Sequence, residues 1–298
     1  MASLVKELVE AGIHFGHRST HWNPKMAPYI YGKRNKIHII DVKETIKGLL
    51  LARKFLTQSV AQGKDVLFVG TKRQARSIVE KHVNDVGMHH VTERWLGGTL
   101  TNFRTIRERL KRLEELDRIE ASGEFSNYSK KMESQLRREK SKIDRNLGGI
   151  RNMTKLPGVM VVIDVNHEIN AVKEARKLGI PTVCLIDTDS DPDFADIPIP
   201  GNDDAMRAIE VIVQSLCAAV AEGKTARAQQ AQAEGKADGE SGEPRRKRSR
   251  RAQFRAEDEA SAEGGAEATE SGEQAPTEEP AAEPVGAAQA EPAREAAG

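Results

Sequence analysis

What this chain has little of narrows its chemistry before any motif is read. It carries two cysteines in 298 residues, Cys184 and Cys217. Neither has a CxxC partner, so neither a disulfide framework nor a thiolate zinc site is indicated. Both sit in apolar runs and are expected to be small core residues. Aromatic residues make up 4% of the chain and hydrophobic residues 38%, low for a single compact enzyme of this length. No apolar run approaches the roughly 18–20 residues that a membrane span needs. The opening stretch MASLVKELVEAG is amphipathic and carries acids, unlike a signal peptide. A cytoplasmic chain with no membrane contact is expected. Signatures of catalysis are missing too: there is no GxSxG, no HExxH, no GxGxxG and no GxxxxGK[ST]. No enzyme is expected.

The most informative absence is local. Gly12–Ile40 contains no Asp or Glu, although these residues number 45 in the chain. The segment holds five of the Lys and Arg residues (Arg18, Lys25, Lys33, Arg34, Lys36), four of the eight His, and four aromatics: Phe15, Trp22, Tyr29 and Tyr31. Cations with flat rings between them suit a nucleic-acid backbone and its unstacked bases. Two prolines and three glycines point to a loop-rich arm. The plainer alternative is an entry segment whose rings fill the core.

The overall net charge of +1 hides two unlike pieces. Residues 225–298 carry 10 Lys/Arg and 16 Asp/Glu, whereas residues 1–224 carry 36 and 29. The C-terminal piece is rich in Ala, Glu, Gly, Pro and Gln and poor in Leu, Ile, Val and aromatics, so it is expected to be a disordered tail. It contains the basic block Arg245–Arg251, which could graze RNA or serve as a nuclear signal, followed by an acidic stretch. The body alternates strand and helix. Buried strands are expected at 65–70, 88–95, 158–164 and 182–187, with a short edge strand at 197–199. Helices are expected at 71–84, 166–178 and 203–222. This rhythm predicts an α/β fold of the Rossmann or flavodoxin-like kind, with an open, mostly parallel sheet flanked by helices.

Residues 101–150 break the rhythm. Between Arg104 and Arg145, 22 of 42 residues are charged. Leu110, Leu113, Leu116 and Ile119 form one narrow apolar stripe, and Met132, Leu136, Ile143 and Leu147 another. The stretch SGEFSNYS separates them. An inserted antiparallel coiled-coil hairpin is predicted. The organisation is then 1–100, a basic arm and the first part of the α/β domain; 101–150, the hairpin; 151–224, the rest of the domain; and 225–298, the tail.

Three further segments carry chemistry. In FVGTKRQA (68–75), a strand ends in a tight turn whose backbone N–H groups, with Lys72 and Arg73, could hold a phosphate; the alternative is an ordinary turn capped by Thr71. In RWLGGTLTNFR (94–104), paired glycines permit close approach. Arg94, Trp95, Asn102 and Arg104 surround them with stacking and phosphate-binding groups, and Thr101 suits a helix N-cap. The alternative is Gly for turning and Trp for packing. Asp187, Asp189, Asp191 and Asp193 follow a strand, with Asp203 and Asp204 beyond. His17, Asp187, Asp189, Asp203 and Asp204 are candidates for one divalent cation at the carboxyl edge of a parallel sheet; the same residues also suit turns and caps.

Taken in order, HFGHRSTHWNPKMAPYIYGKRNKIHIID, LFVGTKRQA, RWLGGTLTNF, LGGIRNM, PGVMVVIDVNHE, EARKLGIPTVCLIDTDSDPD and IPGNDDAMRAI resemble the bacterial small-subunit ribosomal protein S-two family, over roughly residues 4–224. The tail lies outside the resemblance. The resemblance implies an α/β domain with a protruding coiled-coil hairpin, present in one copy per small subunit. It implies binding to small-subunit ribosomal RNA between head and body, beside neighbouring small-subunit proteins. It also implies a part in recruiting ribosomal protein S-one, and no enzymatic activity. The residues expected to meet RNA are Arg18, Trp22, Lys25, Lys33, Arg34, Asn35 and Lys36 of the arm, Lys72 and Arg73 of the turn, and Arg94, Trp95, Gly97, Gly98, Asn102, Arg104 and Arg107 before and within the hairpin. No cofactor is expected beyond the candidate cation. Two rivals differ in class: a nucleotide- or sugar-phosphate-binding enzyme using the 69–74 turn and the acidic edge, and a scaffold whose hairpin and tail bind proteins.

Overall fold

Val66–Val69, Val159–Ile163 and Thr182–Ile186 are buried at every position, as strands covered on both faces must be. The computed structural model describes residues 2–124 and 128–240, and side chains over 4–124 and 128–230. These three runs are β4, β6 and β7. With β5 (His89–Val91) and β8 (Ile197–Pro200) they form a five-stranded sheet in the order β5-β4-β6-β7-β8, every pair parallel. Counted along this sheet the order is 2-1-3-4-5, the flavodoxin-like winding, with its reversal between β4 and β6.

Alternate residues feed two cores. Val66, Phe68, Val159, Val161, Ile163, Val183 and Leu185 join one face. Leu67, Val69, Met160, Val162, Cys184 and Ile186 join the other. The first face is covered by α1 (Ala2–Glu10), α2 (Val42–Ala61), α3 (Arg76–Asp85) and α7 (Met206–Glu240). α2 lies along α7 and against β8, and Gly48 permits that approach, because a Cβ there would collide with the Pro198 carbonyl. The second face is covered by α6 (Ile169–Lys177) and by residues from α4 (Phe103–Ala121) and α5 (Lys130–Leu147).

α4 and α5 lie between β5 and β6 in the chain and pack on each other. Leu110, Leu113 and Leu116 are fully buried. The second stripe is graded: Leu147 is buried, Ile143 and Leu136 are half-buried, and Met132 is exposed. Toward that exposed end, ion pairs Arg112–Glu139 and Lys140–Asp117 take over from apolar packing. Ser129 caps α5, its hydroxyl accepting from the Met132 N–H.

Several expectations are corrected. Gly12–Ile40 is not predominantly loop: β1 (Phe15–Arg18), β2 (Ile30–Arg34) and β3 (Ile37–Ile40) make a second, antiparallel sheet in the order β1-β3-β2, with a 3-10 turn at Pro24–Tyr29. The prolines start and punctuate that turn, leaving the strands intact. Strand β5 is only three residues long. Helix α3 starts at Arg76 rather than Thr71, because Thr71 is engaged elsewhere. Helix α7 runs past the expected boundary at residue 224 to Glu240; extending an existing helix through an Ala- and Gln-rich run needs no new nucleus. The rest of the expected tail, with the Arg245–Arg251 block and the acidic stretch, lies outside the described residues, as do Phe125–Asn127. Among the described residues no helix is long and apolar enough to cross a membrane.

Candidate nucleic-acid interface and the acidic edge

The antiparallel sheet turns the acid-free segment into a presented tip. β2 and β3 pair Arg34 with Ile37 and Lys33 with His38, leaving a two-residue turn, Asn35-Lys36. Both turn residues have positive φ, 51° and 63°. This is the paired left-handed conformation whose twist suits a two-residue hairpin, and Asn adopts it readily. Lys33, Arg34, Asn35 and Lys36 are all exposed, as are Arg18 and Trp22. Trp22 leans on His38 with ring centroids 5.1 Å apart, so part of its stacking surface is already used.

Two of the expected phosphate ligands have other work. The Lys25 ammonium lies 2.8 Å from Asp191 and also pairs with Asp193, and these bonds raise its pKa. Lys72 is 14% exposed and reaches Asp204 at 2.7 Å, Asp203 at 2.8 Å and Asp164 at 3.2 Å. Burial alone would lower its pKa, but Asp203, Asp204 and Asp164 outweigh it and hold the ammonium firmly charged. Both cations are paired with aspartates of the same chain, Lys25 at the surface and Lys72 largely buried. Arg73, one residue on, is exposed.

The Lys72 turn lies where the winding reverses, the place at which flavodoxin-like sheets hold ligands. Here the turn is filled from within. Glu168 Oε1 accepts the Thr71 N–H at 2.8 Å and the Thr71 hydroxyl at 2.5 Å. An internal carboxylate therefore takes the amide and hydroxyl that a nucleotide phosphate would need. It also explains why Thr71 caps no helix.

The Arg94–Arg104 segment is organised in the same way. Glu174 on α6 accepts from Trp95 Nε1 at 3.0 Å, from the N–H groups of Gly98, Leu100 and Thr101 at 2.8, 3.0 and 3.1 Å, and from the Thr101 hydroxyl. Burial would raise the Glu174 pKa, yet these donors outweigh it and lower it. Thr101 is consumed here, and Asn102 takes the N-cap position without a side-chain cap bond. Gly98 needs its φ of +89°, whereas a Cβ on Gly97 would meet nothing within 4 Å. Trp95 is half-buried in the second core, and Arg107 donates to the Met153 carbonyl. Arg94, Gly97, Asn102 and Arg104 remain exposed.

At the carboxyl edge of the sheet, His17 Nδ1 lies 2.9 Å from Asp187 Oδ2 and 3.9 Å from Asp189 Oδ1, and its Nε2 lies 3.6 Å from Asp204. The Asp187 carboxylate against the imidazole leads the causes that raise the His17 pKa to about 9. Burial, with Asp164 and Asp187 nearby, raises Asp203 to about 8. β1 is seated on this edge: a Cβ on Gly16 would lie 2.6 Å from Thr188 Cγ2, and Thr188 Oγ1 accepts the His17 N–H.

The family model for ribosomal protein S2 matches residues 8–223. The chain belongs to this family. Small ribosomal subunit protein uS2 of Rhodopirellula baltica is 59% identical over 221 residues, covering 74% of this chain and 85% of that one. The uS2 protein of Syntrophobacter fumaroxidans is 50% identical over 220 residues (74% and 80%), and that of Mycobacterium bovis 49% over 240 (80% and 84%). Membership of a ribosomal protein family carries a structural role and no enzymatic one.

Within this S2-family chain, three features were not singled out from the sequence as parts of a site. Tyr31 is 81% exposed beside the hairpin tip, at the register shift where Ile30 pairs with Ile40 and Gly32 with Ile39; the sequence counted it among the rings of the arm without marking it as a contact. Ser134, Arg138, Ser141, Lys142 and Arg145 line a shallow groove along α5, and their helical spacing was available as a signal. Glu168 and Glu174 organise two loops from a distance, and nothing local marks them.

Proposed function

We propose that this chain is a structural constituent of the small ribosomal subunit that holds small-subunit ribosomal RNA chiefly through the tip of its antiparallel sheet. The observation that carries the reading is the acid-free hairpin end: Lys33, Arg34, Asn35 and Lys36, exposed together with Tyr31. Cations there gain affinity by releasing counterions from phosphates, and an exposed ring can stack on an unpaired base. Arg18, Arg73, Arg94 and Arg104 supply further exposed cations, and the α5 groove offers a second basic track. In this reading α4 and α5 act as a short coiled-coil hairpin whose polar faces are free for RNA or protein. The family resemblance adds one copy per subunit, a place between head and body, and help in recruiting ribosomal protein S-one.

Charge reversal at Lys33, Arg34 and Lys36 is expected to lower the amount of this chain on small subunits separated by sucrose-gradient sedimentation. Full occupancy of subunits by that variant, in competition with the unaltered chain, would sink the tip as an anchor. The enzyme rival loses its site to Glu168 and Lys72.

A further inference from the structure

We propose that the cleft at the free edge of the parallel sheet, between α3 and the C-terminal end of α5, seats one unpaired guanine base of an RNA whose backbone runs along the α5 groove. The inference rests on the RNA-binding reading above and adds a site to it. Strand β5 ends the five-stranded sheet and pairs with β4 alone. Beside it opens a cleft of about 620 Å³, within the range of about 300–1,000 Å³ that small-molecule sites occupy. α3 supplies Glu80 and Asn84 to its wall, β5 supplies His90, and the end of α5 with the residues after it supplies Arg145, Gly149 and Asn152.

The cleft is closed to a peptide strand and open to a small polar group. A free sheet edge invites an added strand, but the 3-10 turn Gly148–Ile150 lies over this one. A Cβ on Gly149 would collide with the His90 carbonyl and with His90 Nε2. His90 is 8% exposed, and its Nδ1 is buried with no hydrogen-bond partner. Burial lowers its pKa against the pull of Glu80, so the imidazole is neutral and offers one donor and one acceptor. A buried ring nitrogen left unpaired is costly until a ligand meets it.

Charge separates the cleft from the groove that runs into it. The α5 groove presents Arg138, Lys142 and Arg145 at helical spacing, exposed and, among the described residues, in no ion pair. Arg145 lines both concavities, and the cleft sets the free carboxylates of Glu80 and Asp144 beside it. The other charged groups of the wall are taken, Glu93 by Arg76 and Arg151 by Asp117. Phosphates therefore favour the groove, and a neutral base favours the cleft. Guanine is the base that fits. Its Watson–Crick edge carries two neighbouring donors, N1–H and the N2 amino group, which one carboxylate accepts together. Asn84 and Asn152 carry amide donors for its O6 and N7. Adenine and cytosine set an unprotonated ring nitrogen beside their amino group, which a carboxylate repels.

The test is an anisotropy titration of the full chain with labelled single-stranded oligouridines, about ten nucleotides long, each carrying one guanosine, adenosine or cytidine at its centre. The guanosine oligomer is expected to bind about tenfold tighter than the others. Glu80→Gln should remove that preference while leaving the affinity for plain oligouridine unchanged. Arg145→Gln should weaken all the oligomers alike and make the salt dependence shallower by about one phosphate contact. In the unaltered chain, 6-thioguanosine at the central position should photo-cross-link to residues 80–92 or 145–152, a readout that needs no variant to fold. Binding to small-subunit ribosomal RNA with no preference for guanosine among the oligomers would overturn the cleft and leave the RNA reading standing. No binding to any RNA at low salt would sink both. A preference that survived Glu80→Gln, or cross-links confined to other segments, would also overturn the proposal. So would a photoreactive group at Asn84 that captured only protein in purified small subunits.

Discussion

The hairpin tip at Lys33–Lys36 and the turn at Lys72–Arg73 carry the same kinds of side chain in opposite surroundings. At the tip, no acid lies within the local sequence and the cations are exposed. At the turn, Lys72 is largely buried among Asp164, Asp203 and Asp204. The first arrangement leaves charge available to a partner. The second uses it to hold two loops and the start of a helix together. A lysine in a conspicuous motif is therefore no guide to its work until its acidic neighbours are known.

The largest test of this contrast is Lys72→Met. Removing the shared cation leaves three carboxylates crowded at a poorly hydrated edge, and a loss of about 3 kcal/mol is expected on breaking such a buried pair. Chemical denaturation of the full chain measures it. A stability equal to that of the unaltered protein would place Lys72 with the tip residues after all. Next comes the tip itself: replacing Lys33, Arg34 and Lys36 together by Ala should leave the unfolding curve where it was. RNA affinity should fall about 100-fold, and the dependence of affinity on salt should become shallower by about three phosphate contacts. Filter binding across a salt series reads both.

Glu174→Gln extends the comparison to the second loop. A carboxylate that accepts five hydrogen bonds becomes an amide with one acceptor, and about 2 kcal/mol of stability should be lost. The pH dependence has a definite sign. The folded pKa of Glu174 lies below its ordinary value, so its contribution is present above the unfolded pKa and is lost as pH falls through the folded one. The gap between the unaltered chain and Glu174→Gln should therefore narrow below about pH 4.3. A gap that widened on acidification would show that Glu174 is not held as a carboxylate. The smallest effect belongs to Lys25→Ala. With its ammonium already shared by two aspartates at the surface, RNA affinity should change less than for Lys33→Ala, and the thermal midpoint should barely move. Equal losses at Lys25 and Lys33 would erase the distinction between paired and free cations.

Much of the fold was legible in the chain itself. The buried strands at 159–163 and 182–186 are short apolar runs closed by turn residues, and Gly179 ends the intervening helix with a φ of +67°. The two leucine stripes gave the α4–α5 pair. The arm was harder to read because prolines and basic residues obscure a four-residue strand, and because a hairpin with Lys at its second turn position lacks the Asn-Gly signature. The cation candidates His17, Asp187 and Asp203 do come together, but their spacing along the chain could not say so.

Composition and periodicity by themselves determined the α/β class, the inserted helix pair and the basic character of the arm, because burial imposes a period of two on strands and near 3.6 on helices. Tertiary structure alone decided which charges are free. Glu168 and Glu174 reach loops 97 and 76 residues away from them, at Thr71 and Gly98, and Lys72 meets Asp203 across 131 residues. Electrostatic neutralisation falls off with distance in space, and separation along the sequence carries no trace of it.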